Sequence, residues 1–186
     1  AMLALEVMAL IVAVALPAWH FLKPEPAIAF AERDWVVLGD LRNLSSDPRF
    51  NESLEQALRI GLEQSPHVNL VPALRERETL ALMQIDPDTA VVDRSVGTQL
   101  ALREGAKALI LPTVAEVGGR LRVTLEVVEP GSQTTVMSLA ADGSGAESVL
   151  ASIDRVSAEL RERLGESLAQ IEQSSTPLPR AATPDL

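Results

Sequence analysis

A polar stretch after the first aliphatic run of the sequence carries the side chains best suited to bind a ligand. The run Trp35–Gly39 has the continuous apolar character of a strand buried on both faces. The stretch after it holds two carboxylates, two guanidinium groups and an amide, namely Asp40, Asp47, Arg42, Arg49 and Asn43. Ligands of open α/β sheets bind beyond the carboxyl ends of strands, so we expect a ligand-binding or partner-binding site formed by Asp40, Arg42, Asn43 and Asp47. The alternative is that Asp40 and Asn43 only order the turn.

The sequence offers no constellation for catalysis. It lacks cysteine and has two histidines, which excludes thiolate metal sites, three-histidine zinc sites and thiol nucleophiles. His20 lies in an apolar segment, and His67 has no nucleophile motif paired with it, so we interpret His67 as a loop residue. No GxGxxG or GxxxxGK[ST] pattern is present. A hydrolase using Asp40 with a second carboxylate is the weakest alternative, and we predict no catalytic residue, no metal and no cofactor.

Charge and aromatic content argue against nucleic acid as a partner. The chain has 16 Lys+Arg against 26 Asp+Glu, a formal net charge of −10, and no aromatic residue follows Phe50. Binding along phosphates needs an excess of positive charge, and binding to single strands needs exposed rings. The hydrophobic fraction of 47% is nevertheless sufficient for a folded core. We therefore predict an acidic folded domain that does not bind nucleic acid.

Aliphatic periodicity predicts the elements that must position the polar stretch. Continuous or alternating aliphatic residues indicate strands, and spacings of three and four indicate helices. The predicted strands are Trp35–Gly39, Val68–Val71, Ala108–Val117, Leu121–Val127 and Thr134–Ala140, and the predicted helices are 51–65, Pro72–Gln84, Asp93–Glu104 and Val149–Ile171. Gly118-Gly119 predicts a tight hairpin, because a type I′ turn needs positive φ at both central residues. The order predicts an α/β domain over residues 34–173, with a mixed sheet of about five strands, an antiparallel hairpin section and about four covering helices.

The apolar segment 1–22 precedes this domain. Glu6 is its only charge, and about 20 apolar residues are enough to cross a bilayer, so we predict a transmembrane helix over residues 1–22. A cleaved signal peptide is the alternative, because Ala29-Phe30-Ala31 before Glu32 fits a small-x-small cleavage site. The proline-containing segments 23–33 and 174–186 are predicted linkers.

Several stretches, in the same order, resemble a domain of membrane-anchored bacterial signalling proteins. They are Asp47–Phe50, Ala57–Pro66, Arg77–Leu80, Ala101–Ala106, Leu111–Val114, Leu160–Glu166 and Ala182–Leu186. The chain is most similar to the cyclases of peptide modification systems, and it also resembles serine/threonine kinases and CadC-like regulators of the same layout. In those proteins a cytoplasmic module, one transmembrane helix, this domain and tetratricopeptide (TPR) repeats follow one another. The resemblance implies a fold like the TolB amino-terminal and FlgO-like domains, and it brings no catalytic residues.

Together these observations predict a non-catalytic, extracytoplasmic sensor or protein-interaction domain of a single-pass protein. We expect an anchor in the bacterial inner membrane, contacting the lipid bilayer through the N-terminal helix, and the α/β domain in the periplasm. Its partner would be a protein or a small ligand, and its output a cytoplasmic cyclase or kinase module. The distal stripe Leu164–Ile171 is a candidate homodimer seam. The main alternative is an exported envelope-assembly protein of the TolB or FlgO type with a cleaved signal peptide.

Overall fold

The computed structural model describes residues 34–48, 50–66, 68–144 and 148–165. The described part of the chain forms one mixed sheet with helices on both sides. In chain order its elements are β1 (Asp34–Leu38), β2 (Arg42–Leu44), α1 (Phe50–Glu63), β3 (Val68–Leu70), α2 (Ala73–Leu82), α3 (Arg94–Glu104), β4 (Ala108–Val117), β5 (Arg120–Val128), β6 (Thr135–Gly143) and α4 (Ser148–Arg163).

The sheet combines a parallel part and an antiparallel part. Its strand order is β3-β1-β4-β5-β6, and β2 pairs separately with β4. β1 lies parallel to β3 and to β4, and the connections between these strands run through helices, as parallel pairing requires. β4, β5 and β6 form an antiparallel meander. Gly118 and Gly119 join β4 to β5 with φ of 59° and 73°, which is the backbone that a type I′ hairpin needs.

Helices α1 and α4 cover the first side of the sheet. Their aliphatic residues pack on inward-facing residues of all the long strands to form the larger core cluster. Its fully buried members include Val36, Leu58, Leu125, Ile153 and Leu160. Burying aliphatic side chains of this size stabilises the fold by roughly 1.5–3 kcal/mol each, so this cluster is the main source of stability.

Helices α2 and α3 cover only part of the second side. A smaller cluster joins Leu80 and Leu100 to Val37, Leu109 and Val128 on the strands beneath them. Farther along the same side of β5 and β6, the residues are exposed or half-buried. We call this surface the open half of the sheet; its residues are Arg122, Thr124, Glu126, Ser138, Ala140 and Asp142.

The ends of helices α1 and α3 are defined by specific residues. The Asp93 side chain caps α3 by accepting hydrogen bonds from the backbone N–H groups of Ser95 and Val96, both at 2.9 Å. Gly105 ends the same helix in the left-handed region, with φ of 66°. Arg161 of α4 is buried, and its guanidinium donates to the Gln64 carbonyl at the end of α1, which satisfies one of that helix's terminal acceptors.

The predicted fold class, a mixed α/β sheet with covering helices, is confirmed. Two details differ. β2 was not predicted, because a strand of three residues is too short to show a pattern in the sequence. The last helix ends at Arg163, whereas its apolar stripe predicted continuation to Ile171; Gly165, with φ of 106°, breaks the helical path after Leu164.

Several predictions concern residues outside the described ranges. These are the transmembrane helix 1–22, the linkers 23–33 and 174–186, the loop assignment of His67, and most of the seam Leu164–Ile171. Among the described residues, none of the helices has both the length and the apolar character needed to cross a membrane. The domain boundaries at 34 and 173 stay a prediction.

Candidate functional site

A cleft of about 570 Å³ opens where β1 ends. β1 is hydrogen-bonded to β4 as far as Leu38, and β2 rejoins β4 at Thr113. Between these two ladders, three residues (39–41) connect β1 to β2, whereas the facing part of β4 has only two (111–112). The connecting segment therefore contains one extra residue and forms a bulge. The lining comes from the bulge, the segment before α3, and β4 and β5: Asp40, Leu41, Arg42, Val91, Asp93, Arg94, Leu111, Pro112, Thr113 and Glu126.

Gly39 allows the close approach that shapes this cleft. Its N–H donates to the Ile110 carbonyl at 2.8 Å and so closes the β1 ladder. A Cβ at this position would lie 2.6 Å from the Val92 carbonyl oxygen and 2.8 Å from Leu111 Cδ2, closer than real contacts allow. Glycine is therefore required here for space, and it lets the segment before α3 rest against the end of β1.

Asp40 joins the bulge to the segment before α3. Its backbone N–H donates to the Val92 carbonyl at 3.1 Å, and its carboxylate Oδ2 accepts from the Val92 N–H at 2.9 Å. The backbone and the side chain of Asp40 thus each form one hydrogen bond with Val92. The turn-ordering role considered as the alternative for Asp40 is part of what the side chain does, although it also lines the cleft.

Arg94, at the start of α3, clamps the far wall of the cleft. Its guanidinium forms an ion pair with Glu126 on β5, donates to Thr135 Oγ1 at 3.0 Å, and reaches the Gln133 carbonyl at 3.3 Å. These contacts tie the start of α3 to the β5–β6 hairpin. Arg94 is not among the residues predicted from the sequence, where its only local signal is its position directly after the capping residue Asp93.

Arg42 is the cationic side chain of the cleft that is left for a ligand to contact. It is exposed, and among the described residues its guanidinium has neither an ion pair nor a hydrogen bond. Leu41, Val91 and Leu111 place apolar surface beside it, and the Val91 side chain is 62% exposed. The cleft therefore offers an unpaired guanidinium next to aliphatic walls.

The four predicted site residues divide into two pairs. Asp40 and Arg42 line the cleft, whereas Asn43 on β2 is joined to Asp47 in the loop that follows this strand. Asn43 Nδ2 donates to the Asp47 carbonyl at 2.8 Å, and Asn43 Oδ1 accepts from the Ser45 N–H at 2.9 Å. Alternation along β2 separates Asn43 from Arg42, because successive side chains point to opposite faces. Arg49, in the same stretch, lies outside the described residues.

Glu76 is an ionisable group near Asp40 that the sequence analysis did not single out. Burial raises the pKa of its carboxyl from 4.5 to about 7; the charge of Arg59 opposes this rise, and the charges of Asp40 and Glu55 add to it. In the sequence Glu76 belongs to the mixed run Arg75–Glu78, which is typical of a solvated helix face. Its half-buried position and the nearby charges of Arg59, Asp40 and Glu55 come from the tertiary structure.

The cleft has the chemistry of a binding site. Each lining carboxylate is engaged: Asp40 with a backbone N–H, Asp93 with the N-terminus of α3, and Glu126 with Arg94. In the described part of the chain, no group of three or more metal-ligating side chains is arranged to hold a metal ion. What the cleft can provide is one free guanidinium, apolar walls and the Thr113 hydroxyl.

The described fold is similar to solved structures of one bacterial domain. The LpoB C-terminal domain from Escherichia coli matches with a TM-score of 0.58 and 12% identity, over 69% of this chain and 94% of that chain. The same domain from Salmonella enterica matches with a TM-score of 0.55 and 11% identity, over 62% of this chain and 85% of that chain. At such identities the likeness shows a shared fold.

TolB from Acinetobacter baumannii is a further neighbour, with a TM-score of 0.43 and 10% identity over 75% of this chain and 29% of the TolB chain. We draw nothing from a likeness at that TM-score. No family model matches the chain, and no curated protein sequence matches it. The α/β fold implied by the TolB-like resemblance is therefore supported by the LpoB structures, whereas the association with TPR repeats stays a prediction.

Proposed function

We propose that this chain is a non-catalytic protein-interaction domain that works outside the cytoplasm and binds its partner at the cleft beside Asp40 and Arg42. One observation carries the proposal: the lining carboxylates are engaged in holding the cleft together, while Arg42 and the aliphatic walls are left for a partner. General acid–base catalysis needs a positioned group that is free to exchange a proton with a substrate. Because the carboxylates of this cleft hold neighbouring elements together, the cleft is suited to binding a partner.

The finer proposal is that of a sensor. Binding at the cleft would bias a cytoplasmic cyclase or kinase module through a membrane anchor formed by residues 1–22. Such a signal requires a partner that binds two states of the protein with different affinities. Arg94 and Asp40 support this reading, because they join the cleft to α3, to β5 and to the β5–β6 hairpin, so a ligand in the cleft contacts several elements at once.

A photo-crosslinking amino acid at Arg42 tests the proposed binding surface. It is incorporated at Arg42 in the full chain expressed in bacteria, and at Arg103, an exposed arginine on α3 outside the cleft, as the matched control. We expect a discrete adduct with one protein from position 42 and none from position 103. Identical adducts from both positions, or none from position 42, would count against a partner at the cleft.

The second candidate is an exported envelope-assembly protein of the TolB or FlgO type. The similarity to the LpoB C-terminal domain fits this reading as well as it fits the sensor. Mass spectrometry of the purified protein separates the two. A mature chain that starts at Glu32 supports cleavage and export, whereas an intact segment 1–22 supports the anchored sensor. A topology reporter fused after Leu186 that is active in the cytoplasm would exclude both.

A further inference from the structure

The two edges of the sheet differ in how they are protected. β3, at one edge, has three residues and lies between Pro66 and Pro72, so it offers little unpaired backbone. β6, at the other edge, has nine residues, and among the described strands it pairs only with β5. Soluble proteins usually guard such an edge with lysine, proline, a bulge or a covering segment. The sequence of β6 contains neither lysine nor proline.

The regular part of this edge is Met137–Gly143, in which Ser138 and Ala140 are exposed. The irregularity in the β5–β6 ladder falls between Val127 and Val128, opposite the start of β6, and the register is continuous from Met137 to Gly143. Arg155 of α4 donates to the Asp142 carbonyl at 3.4 Å, which is a long contact at the far end of the strand. Ser138 and Ala140 are small and exposed, so another strand can approach closely.

We propose that this edge pairs with the same edge of a second copy of the chain, antiparallel about a two-fold axis at Leu139 or Ala140. In a two-fold pair the same strand lies on both sides of the contact, so the two strands have equal length and the same spacing of hydrogen-bonding groups. The two sheets would then form one continuous sheet, and the open halves of both copies would lie side by side. This pairing is independent of the proposed cleft.

The charges of the edge are compatible with self-pairing. Asp142 is the single charged residue of β6, and Arg122 holds it with hydrogen bonds of 2.6 and 2.9 Å. Because a strand rises about 3.3 Å per residue, the two Asp142 residues would be about 13 Å or more apart in either register. That separation exceeds the Debye length of about 8 Å at physiological salt, so they would repel each other weakly.

Helix α4 places charges of both signs beside the same edge. The bond from Arg155 to the Asp142 carbonyl marks the side of α4 that lies next to β6, and Glu159 follows one turn later on that side, where it pairs with Arg163 at 3.6 Å. This side of α4 therefore adds no block of like charge that would oppose association, although each chain carries a net charge of −10.

The absence of cysteine from the sequence permits a direct test by disulfide cross-linking. Single cysteines are introduced as Ala140→Cys or Ser138→Cys in the full chain in detergent, and Asn69→Cys on the β3 edge is the matched control. Facing residues of an antiparallel pair have Cα atoms about 4.5–5.5 Å apart, within the range of a disulfide. If the axis is at Ala140, this residue faces itself and we expect disulfide-linked dimers from Ala140→Cys alone. If the axis is at Leu139, Ser138 of one copy faces Ala140 of the other, and we expect dimers from a mixture of the Ser138→Cys and Ala140→Cys variants. Absence of these dimers, or an equal yield from Asn69→Cys, would overturn the proposal.

A charge variant tests the pairing without oxidation. Ala140→Lys places like charges at facing or adjacent positions of the two strands, so we expect the dimer dissociation constant in sedimentation velocity to rise at least about tenfold. Ala81→Lys adds the same charge on an exposed position of α2 and should leave the dimer unchanged. Circular dichroism checks that both variants fold. A wild-type chain that sediments as a monomer, or a dimer that Ala140→Lys does not weaken, contradicts self-pairing.

Discussion

The two sides of the sheet differ in how completely they are covered. On the first side α1 and α4 enclose a continuous aliphatic cluster, and Leu58, Leu125 and Ile153 are fully buried. On the second side α2 and α3 cover β1 and β4 but leave the open half of β5 and β6 to solvent, with Arg122 and Ala140 exposed. β1, β4 and β5 each contribute buried side chains to both clusters. The difference separates the region that stabilises the fold from the surfaces that remain for binding.

This contrast also places the candidate site. The cleft lies at the border between the covered and open parts of the second side, where Arg94 of α3 reaches Glu126 of the open half. A border position gives the cleft a rigid floor on β4 and an open rim. The following substitutions test the contrast, in order of decreasing expected effect.

The largest effect is expected from truncation in the first cluster. Ile153→Ala removes a fully buried side chain and leaves a cavity, so the free energy of unfolding should fall by about 2–5 kcal/mol in urea denaturation. Val117→Ala removes an aliphatic side chain that is 53% exposed at the end of β4, and it should cost less than about 1 kcal/mol. Similar losses from the two variants would mean that the two sides are equally important for stability.

The second effect concerns the cleft. Gly39→Ala forces a methyl group against the Val92 carbonyl and Leu111, so we expect a loss of about 1–3 kcal/mol in the free energy of unfolding. Gly131→Ala is the control, because a Cβ at Gly131 meets nothing within 4 Å. Amide exchange measured by mass spectrometry should show faster exchange at Val92 in Gly39→Ala only. Unchanged stability would show that the segment before α3 can move aside freely.

The third effect is a pH dependence at Glu76, where α2 approaches the α1 charges Arg59 and Glu55. The folded pKa of about 7 lies above the ordinary value of 4.5, so the folded state holds the proton more tightly. This contribution to stability is complete below the ordinary pKa and is lost as pH rises through about 7. Because the carboxyl is partly exposed, we expect about 1–2 kcal/mol between pH values near 5 and near 8.

Urea denaturation at both pH values provides the measurement. Glu76→Gln should remove this part of the pH dependence, because the amide does not titrate. Glu78→Gln changes an exposed carboxyl of the same helix and should retain it. A pH dependence that is identical in wild type and Glu76→Gln would show that Glu76 is solvated like its neighbours in the run.

The smallest effect is expected on the open half. The Arg122 guanidinium lowers the pKa of Asp142 through a direct hydrogen bond, yet both groups are solvated. Exposed ion pairs contribute little to stability. Arg122→Gln should therefore leave the urea midpoint unchanged within experimental error. A measurable loss of stability would mean that the open half is covered by another part of the protein.

Much of the fold could be predicted from aliphatic patterns. The limits of β4, Ala108–Val117, agree with the prediction, because its alternation continues to the Gly118-Gly119 turn. β2 could not be predicted, since its pairing depends on a bulge that only forms when β1 meets β4. Of the residues predicted for the candidate site, Asp40 and Arg42 share the cleft, whereas Arg94 joins it from a segment remote in sequence; their role in binding stays a prediction.

The sequence by itself determined the order of the helices and of the strands other than β2, the tight hairpin and the acidic, cysteine-free composition, because these depend on residue type and short-range spacing. The tertiary structure decided which polar residues meet, since Asp40, Arg94 and Glu126 come from three separate elements. It also decided the raised pKa of Glu76, which depends on burial between elements. Finally, only pairing within the sheet left β6 as the long edge strand of the described part of the chain, because strand order is a property of the assembled sheet.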